Sequence, residues 1–189
     1  MTPELIVIGA SAGGLHALGV VLEKISESFP IPIIVVLHIS PQAEDFWIQN
    51  MNKKYQLNVK EAEDKERIQA GNIYFAPANY HVLVDEERTI GLSVDEKVNY
   101  SRPSIDVLFE AAADVYKEKL IGVVLTGSSN DGANGLKRIK QKGGITVVQN
   151  PSEAEFRFMP EKAIEASKID NILTLDEISK LLSSYHLEK

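Results

Sequence analysis

Residues 5–14 read LIVIGASAGG, and this stretch determines how the rest of the chain is interpreted. Four aliphatic residues without polar alternation are typical of a strand buried on both faces of a parallel sheet. The glycines behind them predict a tight turn, and apolar residues at helical spacing then predict a helix up to about Glu27. Ser11 stands at the tip of this turn with the spacing Gly9-x-Ser11-x-Gly13, which is that of a nucleophile elbow.

The same alternation of strand and helix recurs along the chain and predicts a doubly wound α/β fold. Apolar runs at 33–37, 120–125 and 145–148 read as further strands, and the helical patterns behind them cover 43–54, 133–142 and 160–166. Residues 81–84 and 89–94 read as a β-hairpin. We therefore predict one domain over residues 1–189, with a mostly parallel sheet, helices on both faces (three-layer α/β/α) and an inserted hairpin.

Two more helices are predicted from amphipathic stripes preceded by capping residues. Ser104 is expected to cap the helix that starts at Ile105, and Asp176 is expected to cap the helix near the end of the chain.

Composition excludes several kinds of chemistry. The chain has 189 residues and no cysteine, so disulfides, thiolate zinc sites, iron–sulfur clusters and cysteine nucleophiles are excluded. With 20 basic against 27 acidic residues the net charge is −7, which argues against general nucleic-acid binding. The histidines show no paired metal-ligand spacing, so no metal is expected. Without a signal peptide or a long apolar run, we expect a cytoplasmic protein with no membrane insertion.

Two nucleotide-binding motifs are also excluded. A dinucleotide fingerprint needs a glycine where Ser11 stands, and an acidic residue near the end of the second strand, which here ends at His38. A phosphate-binding loop of the Walker type needs Gly-Lys-Ser/Thr, which does not occur.

Polar residues follow three of the predicted parallel strands. Ser11 follows the first strand, His38 the second, and Asp131 lies in the loop behind strand 120–125. Sites in such sheets form beyond the carboxyl ends of the strands, so we expect the three side chains to meet. They would serve as nucleophile, base and orienting carboxylate. Each also has a structural alternative: Ser11 and Asp131 as helix caps, and His38 as a satisfied structural histidine.

Other residues are candidates for supporting roles in the same cleft. The backbone N–H groups of Ala12 and Ser128 are candidates for holding a developing oxyanion, since Ala12 precedes a helix N-terminus. His81 and Arg102 are candidates for lining the substrate cleft.

Taken in order, the motifs resemble the catalytic domain of chemotaxis protein-glutamate methylesterases. The matching segments are IGASAGG at 8–14, VLH at 36–38, IYFAP at 73–77 with His81, RPSIDVLF at 102–109, LTG at 125–127, DGANG at 131–135, and Gln149 with MPEKA at 159–163. The resemblance implies a serine hydrolase without cofactor that removes methyl esters from glutamates on the cytoplasmic helices of chemoreceptors. Deamidation of receptor glutamines is left open. Carried over by position, Ser11 is the nucleophile, His38 the base and Asp131 the orienting carboxylate.

The sequence also departs from that family. The family's regulatory form carries an N-terminal receiver domain, whereas Met1 here lies just before the first strand, so we expect no fused receiver and either constitutive activity or control by a separate receiver protein. Ser128-Ser129 replaces the usual Met-Gly, Phe158 replaces a usual Gly, and residues 39–41 insert one residue after His38. Two alternatives therefore stay open: an esterase or amidase for another substrate, and a non-catalytic signalling interaction module.

Overall fold

The fold is built on one seven-stranded sheet in which every pair of neighbouring strands is parallel. The computed structural model describes residues 2–38 and 44–185, apart from the side chains at positions 44–47. The strands of this sheet are β1 (Leu5–Ala10), β2 (Ile33–Leu37), β3 (Asn58–Glu61), β4 (Asn72–Phe75), β7 (Leu120–Val124), β8 (Ile145–Gln149) and β9 (Asn171–Leu173). Their order across the sheet is β3-β4-β2-β1-β7-β8-β9. Two further strands, β5 (His81–Val84) and β6 (Ile90–Ser93), form a separate antiparallel hairpin.

Helices cover both faces of the sheet, so the predicted three-layer architecture is confirmed. They are α1 (Gly14–Leu22), α2 (Glu44–Lys54), α3 (Ile105–Tyr116), α4 (Ala133–Gln141), α5 (Phe158–Ala166) and α6 (Leu175–Ser184). One apolar cluster contains Ile6 and Ile8 of β1 with residues of α1, α2 and α6. The other contains Leu5 and Val7 with residues of α3, α4, α5 and the hairpin. Successive side chains of a strand point to opposite faces, which explains why β1 is apolar throughout.

The predicted helix caps give one confirmation and one correction. The Ser104 side chain accepts a hydrogen bond from the backbone N–H of Val107 at 3.5 Å, as expected for a cap. The prediction that Asp176 caps α6 is wrong. Thr174 is the N-cap of this helix. Its side chain accepts a hydrogen bond from the Glu177 N–H, and the Glu177 carboxylate accepts one from the Thr174 N–H, which makes a capping box. Asp176 instead pairs with Lys24 at 3.0 Å. The residue at which helix α2 was predicted to begin, Ala43, and the insertion at 39–41 lie outside the described residues.

The order of the strands determines where a site can form. Strand β1 lies between β2 and β7, so the chain leaves β1 toward one side of the sheet and later returns to its other side. Such a reversal opens a crevice at the carboxyl ends of the strands. Ala10 pairs with Leu37 and Gly9 with Val124, so the residues that follow β1, β2 and β7 emerge at the same level. In the part of the chain that the structure describes, no helix has the length and apolar character needed to cross a bilayer.

Candidate active site

Ser11 follows the last residue of β1 and is held by its backbone. Its N–H donates to the Thr126 carbonyl at 3.0 Å, and its own carbonyl accepts from the Gly14 N–H at 2.7 Å. Gly13 has a φ of +76° and occupies the N-cap position of α1, with no side-chain cap. The Ser11 hydroxyl is therefore not the helix cap, and among the described residues it has no hydrogen-bond partner. The described part of the chain thus leaves this hydroxyl available for chemistry.

His38 follows β2 and faces the third candidate residue. Its backbone N–H donates to the Ala10 carbonyl at 3.0 Å, which extends the pairing of β1 and β2 by one residue. Its ring Nε2 lies 3.1 Å from Asp131 Oδ2, and the side chain is 15 % exposed. The two atoms are within hydrogen-bond distance, but the ring N–H is poorly aligned with the oxygen. The described contacts include no hydrogen bond between the Ser11 hydroxyl and this ring, and such contacts often tighten only when substrate binds.

The Asp131 carboxylate is fully buried and accepts four hydrogen bonds besides its contact with His38. The donors are Ser104 Oγ at 2.8 Å, Ile105 N at 2.7 Å, Asp106 N at 3.0 Å and Asn99 Nδ2 at 3.0 Å. Two of these donors are backbone N–H groups of the first turn of α3, so Asp131 holds the start of that helix. It does not cap α4, the helix that directly follows it, whose N-cap is Gly132.

The electrostatics of this site keep Asp131 ionised. Burial raises the pKa of the Asp131 carboxyl, but the close contact with the His38 ring and the hydrogen bonds from the N–H groups of Ile105 and Asp106 outweigh it, so the pKa lies below its usual value. An anion at this position stabilises a protonated imidazole beside it.

A second buried carboxylate, that of Asp106, was not singled out from the sequence. Its Oδ1 accepts from the backbone N–H of Gly132 at 2.9 Å and of Gly135 at 2.7 Å. Asp106 thus holds the start of α4 while Asp131 holds the start of α3, an arrangement that we call the reciprocal cap. Burial raises the pKa of Asp106 despite the Gly135 hydrogen bond, and the negative charge of Asp131 adds to the rise.

Asn99 links the two carboxylates of the reciprocal cap and was also missed. Its Nδ2 donates to Asp106 Oδ2 at 2.9 Å and to Asp131 Oδ1 at 3.0 Å. It has a φ of +51°, and Tyr100 behind it has a φ of +64°. Asparagine tolerates this left-handed region better than most residues, which is the one local signal that the sequence offers. That signal marks a turn and says nothing of what the side chain reaches.

Two of the backbone N–H groups near Ser11 that lack an acceptor among the described residues were expected from the sequence. They belong to Ala12 and Ser128, the two oxyanion candidates. The N–H of Gly127 is unavailable because it donates to the Phe156 carbonyl at 3.0 Å. Gly127 also packs against the nucleophile loop so closely that a Cβ added there would lie 2.9 Å from Ser11 Cβ. The loop after β7 therefore lies directly against the Ser11 turn.

His81 does not line an open cleft, which corrects the expectation from sequence. It is 1 % exposed, its Nε2 lies 3.0 Å from the Glu96 carbonyl, and its Nδ1 accepts from the Ser104 N–H at 3.2 Å. Both ring nitrogens are thus used to hold the segment before α3. Because the hairpin packs over α3, β5 turns this ring inward.

Arg102 holds a loop together. Its Nη1 donates to the carbonyls of Val94 at 2.6 Å and Asp95 at 2.8 Å. These two contacts tie both ends of the segment between β6 and α3, from which Asn99 projects. Among the described residues, no group of three or more His, Asp or Glu side chains is placed to hold a metal ion.

The site contains the chemical groups that nucleophilic acyl transfer requires. At the carboxyl ends of three neighbouring strands lie an imidazole beside a buried ionised carboxylate, a hydroxyl, and N–H groups; the hydroxyl and the N–H groups have no partner among the described residues. Such a set can attack a carbonyl carbon, move the proton of the hydroxyl and stabilise the oxyanion that forms.

Comparison with known proteins gives consistent matches. The family model described as CheB methylesterase matches residues 6–182. A Leptospira interrogans protein, provisionally named protein-glutamate methylesterase/protein-glutamine glutaminase, is 49 % identical over 96 % of this chain and 94 % of its own length. The protein-glutamate methylesterase/protein-glutamine glutaminase of Clostridium acetobutylicum is 34 % identical over 93 % of this chain and 51 % of its own length. The crystal structure of the Thermotoga maritima CheB methylesterase catalytic domain superposes with a TM-score of 0.92 at 31 % identity, covering 97 % of this chain and 99 % of that one.

Proposed function

The chain belongs to the CheB methylesterase family, and from this premise we propose that it is a serine hydrolase that cleaves glutamyl methyl esters on chemoreceptors. The observation that carries the proposal is the contact between His38 Nε2 and the buried Asp131 carboxylate, level with Ser11 across neighbouring strands. The match over residues 6–182 and the single parallel sheet support one catalytic domain.

In the first half of the reaction Ser11 Oγ attacks the ester carbonyl carbon. Because His38 Nε2 faces Asp131, the other ring nitrogen, Nδ1, is the one left to accept the hydroxyl proton. The ring then carries a positive charge beside an ionised carboxylate, which lowers the cost of forming it. When the tetrahedral intermediate collapses, the C–O bond to the methoxy group breaks, and His38 returns the proton so that methanol leaves.

In the second half a water molecule replaces methanol. His38 takes a proton from the water, the resulting hydroxide attacks the acyl-serine, and Ser11 leaves with the proton, which releases the glutamate carboxylate. The N–H groups of Ala12 and Ser128 are proposed to hold the oxyanion in both halves, since both lack an acceptor among the described residues. The same steps with ammonia as the leaving group would deamidate a glutamine.

The proposed partner follows from the relatives. Proteins of this family are named for esterase action on protein glutamates, so we propose the methylated cytoplasmic helices of chemoreceptors as substrate and the cytoplasm as the place of action.

Replacing the nucleophile tests the mechanism. S11A is expected to lower the rate of methanol release from a methylated chemoreceptor fragment by about 10⁶-fold, because no other group can form the acyl intermediate. A fluorophosphonate probe should label the parent protein at Ser11, as read by peptide mass spectrometry, and should not label S11A. Release of methanol by S11A at the parent rate would contradict the mechanism.

The matched control is Ser152→Ala. This serine is exposed and lies in the loop behind β8, and only its backbone N–H makes a described hydrogen bond, to Asn150. It should keep parent activity and labelling. A folded parent protein that is not labelled at Ser11 would instead support a non-catalytic interaction module.

A further inference from the structure

Most of the large exposed apolar side chains lie in loops and helix starts that follow a strand. Eight large apolar side chains stand out as exposed in the described residues, and seven of them lie in segments that follow the carboxyl end of a strand or precede α3. Those seven are Leu15, Tyr80, Val94, Val98, Tyr100, Phe156 and Phe158, whereas the eighth, Ile172, lies in the edge strand β9. Single exposed apolar residues need no explanation, but a concentration of them on one side of a protein marks an interaction surface.

Four of the seven are aromatic, and three of these, Tyr100, Phe156 and Phe158, lie in segments that contact loops of the candidate active site. The fourth, Tyr80, lies between β4 and β5. Tyr100 is 98 % exposed and follows Asn99, whose side chain contacts Asp131 at 3.0 Å. Phe156 and Phe158 lie in the segment that precedes and begins α5, whose backbone is hydrogen-bonded to Gly127 beside Ser11. We call these three residues the aromatic rim.

The backbone that carries Phe156 is tied to the loops of the site. The Phe156 N–H donates to Thr126 Oγ1 at 2.9 Å, and Thr126 Oγ1 lies 3.0 Å from the Ala12 carbonyl. The Phe156 carbonyl accepts from the Gly127 N–H at 3.0 Å. The backbone at Phe156 is therefore fixed against the loops that flank the candidate nucleophile.

The backbone that carries Tyr100 is equally constrained. Val98 and Ser101 exchange backbone hydrogen bonds of 3.1 and 2.9 Å on either side of it. Arg102 holds the preceding segment, and both Asn99 and Tyr100 adopt left-handed backbone conformations. Unfavourable backbone conformations persist where the surrounding structure imposes them, and they often mark functional positions. In this protein the left-handed conformations of Asn99 and Tyr100 leave the Tyr100 side chain almost entirely exposed to solvent.

From this arrangement we propose that the aromatic rim binds the polypeptide segment that carries the glutamyl methyl ester. The proposal rests on the function proposed above. A small ester needs only the cleft at Ser11, whereas exposed rings on two separate segments tied to the site, one through Asn99 to Asp131 and one to Gly127, match a substrate that extends beyond the ester as a polypeptide chain. Because hydrogen bonds already hold these loops in place, little conformational entropy is lost when a substrate binds to the rings. Aromatic residues on such loops therefore contribute strongly to binding.

The test compares a large and a small substrate on the full chain. Tyr100→Ala and Phe156→Ala are each expected to raise KM for a methyl-labelled cytoplasmic fragment of a chemoreceptor by about fivefold or more, with kcat little changed. Hydrolysis of p-nitrophenyl acetate should stay at the parent rate. Ile172→Ala is the matched control, because Ile172 and Phe158 are both 46 % exposed but Ile172 lies in β9. It should leave both substrates unaffected.

Two results would overturn the proposal and can be told apart. If the parent releases methanol from the fragment and both rim variants keep the parent KM, the rim does not bind the substrate. The same conclusion follows if both variants lose activity on p-nitrophenyl acetate to the same extent as on the fragment. If the parent hydrolyses p-nitrophenyl acetate but releases no methanol from the fragment, the proposed function is wrong. The polypeptide substrate proposed for the rim is then wrong as well.

Discussion

The Asp131 carboxylate contacts the His38 ring on one side and the first turn of α3 on the other. It therefore has a place in the proposed chemistry and a place in the stability of the fold. Asp106 contacts the start of α4 in the same way, and Asn99 donates to both carboxylates. Two like charges so close together are stable only because each accepts several hydrogen bonds. The site is thus ordered by interactions that the fold makes before any substrate binds.

The depressed pKa of Asp131 leads to a pH-dependent prediction for D131N. An asparagine offers one acceptor oxygen where the carboxylate offers two, so at least one buried donor loses its partner. We expect D131N to lower the free energy of unfolding by about 1–3 kcal/mol near neutral pH. Because the folded-state pKa lies below the usual 3.8, this contribution is present above pH 3.8 and is lost as the pH falls through the folded-state value.

Urea denaturation of D131N and parent at a series of pH values measures this effect. The difference in unfolding free energy should stay constant from about pH 7 to 5 and shrink below pH 3.8. Asp176→Asn serves as the control, because Asp176 is exposed and its partner is Lys24 at the surface, so its effect should be small. A difference that grows toward acid pH would show that Asp131 is not held in its ionised form.

At the scale of elements, the approach of α3 to β1 determines the geometry of the site. Gly9 allows this approach, since a Cβ at this position would lie 2.4 Å from Ile105 Cγ2 and 2.9 Å from its Cδ1. Ile105 is fully buried, and its N–H is one of the donors to Asp131. A side chain at Gly9 would therefore displace the very turn that holds the carboxylate.

Gly9→Ala should accordingly destabilise the protein by about 1–3 kcal/mol and lower its esterase activity, because the buried branched side chain has little room to move. The matched control is Gly91→Ala in β6, where the nearest atom, Leu83 Cβ, would be 3.6 Å from the new Cβ. Urea denaturation and p-nitrophenyl acetate hydrolysis of both variants measure the effect. Equal behaviour of the two would contradict the role assigned to the contact between β1 and α3.

The parallel strands and the placement of Ser11, His38 and Asp131 at neighbouring strand ends could be predicted because their signals are local. The strands at 5–10, 33–37 and 120–124 are almost continuously apolar, and a polar residue at or behind the carboxyl end of each can be found by reading onward. Asn99, Asp106 and the true setting of His81 could not be predicted. They depend on how the segment between β6 and α3 folds back onto the loop after β7, and no periodic pattern in the sequence describes that contact.

The net charge of −7 affects how readily the whole protein associates with its substrate. A substrate segment rich in glutamate carries the same sign of charge, so encounter is opposed at low ionic strength. The aromatic rim offers apolar contacts that this repulsion does not weaken, but the approach of the two proteins remains sensitive to salt.

We therefore expect kcat/KM for the methylated fragment to rise by about two- to fivefold between roughly 0.02 and 0.2 M NaCl, because salt screens charges beyond about 10 Å. Hydrolysis of uncharged p-nitrophenyl acetate should not respond to the same change and serves as the control. A fall in kcat/KM with salt would show that a locally basic surface attracts the substrate.

The reciprocal cap also bears on how this fold changes over evolutionary time. Under the proposed mechanism, loss of the Ser11 hydroxyl or of the His38 ring would remove the chemistry and leave the helices in place. Loss of Asp131 would also leave buried N–H groups at the start of α3 without their present acceptor. Selection for a folded chain alone would then preserve the aspartate after catalysis had ceased. In a divergent copy of this domain, the serine and the histidine are therefore the informative markers of a working hydrolase.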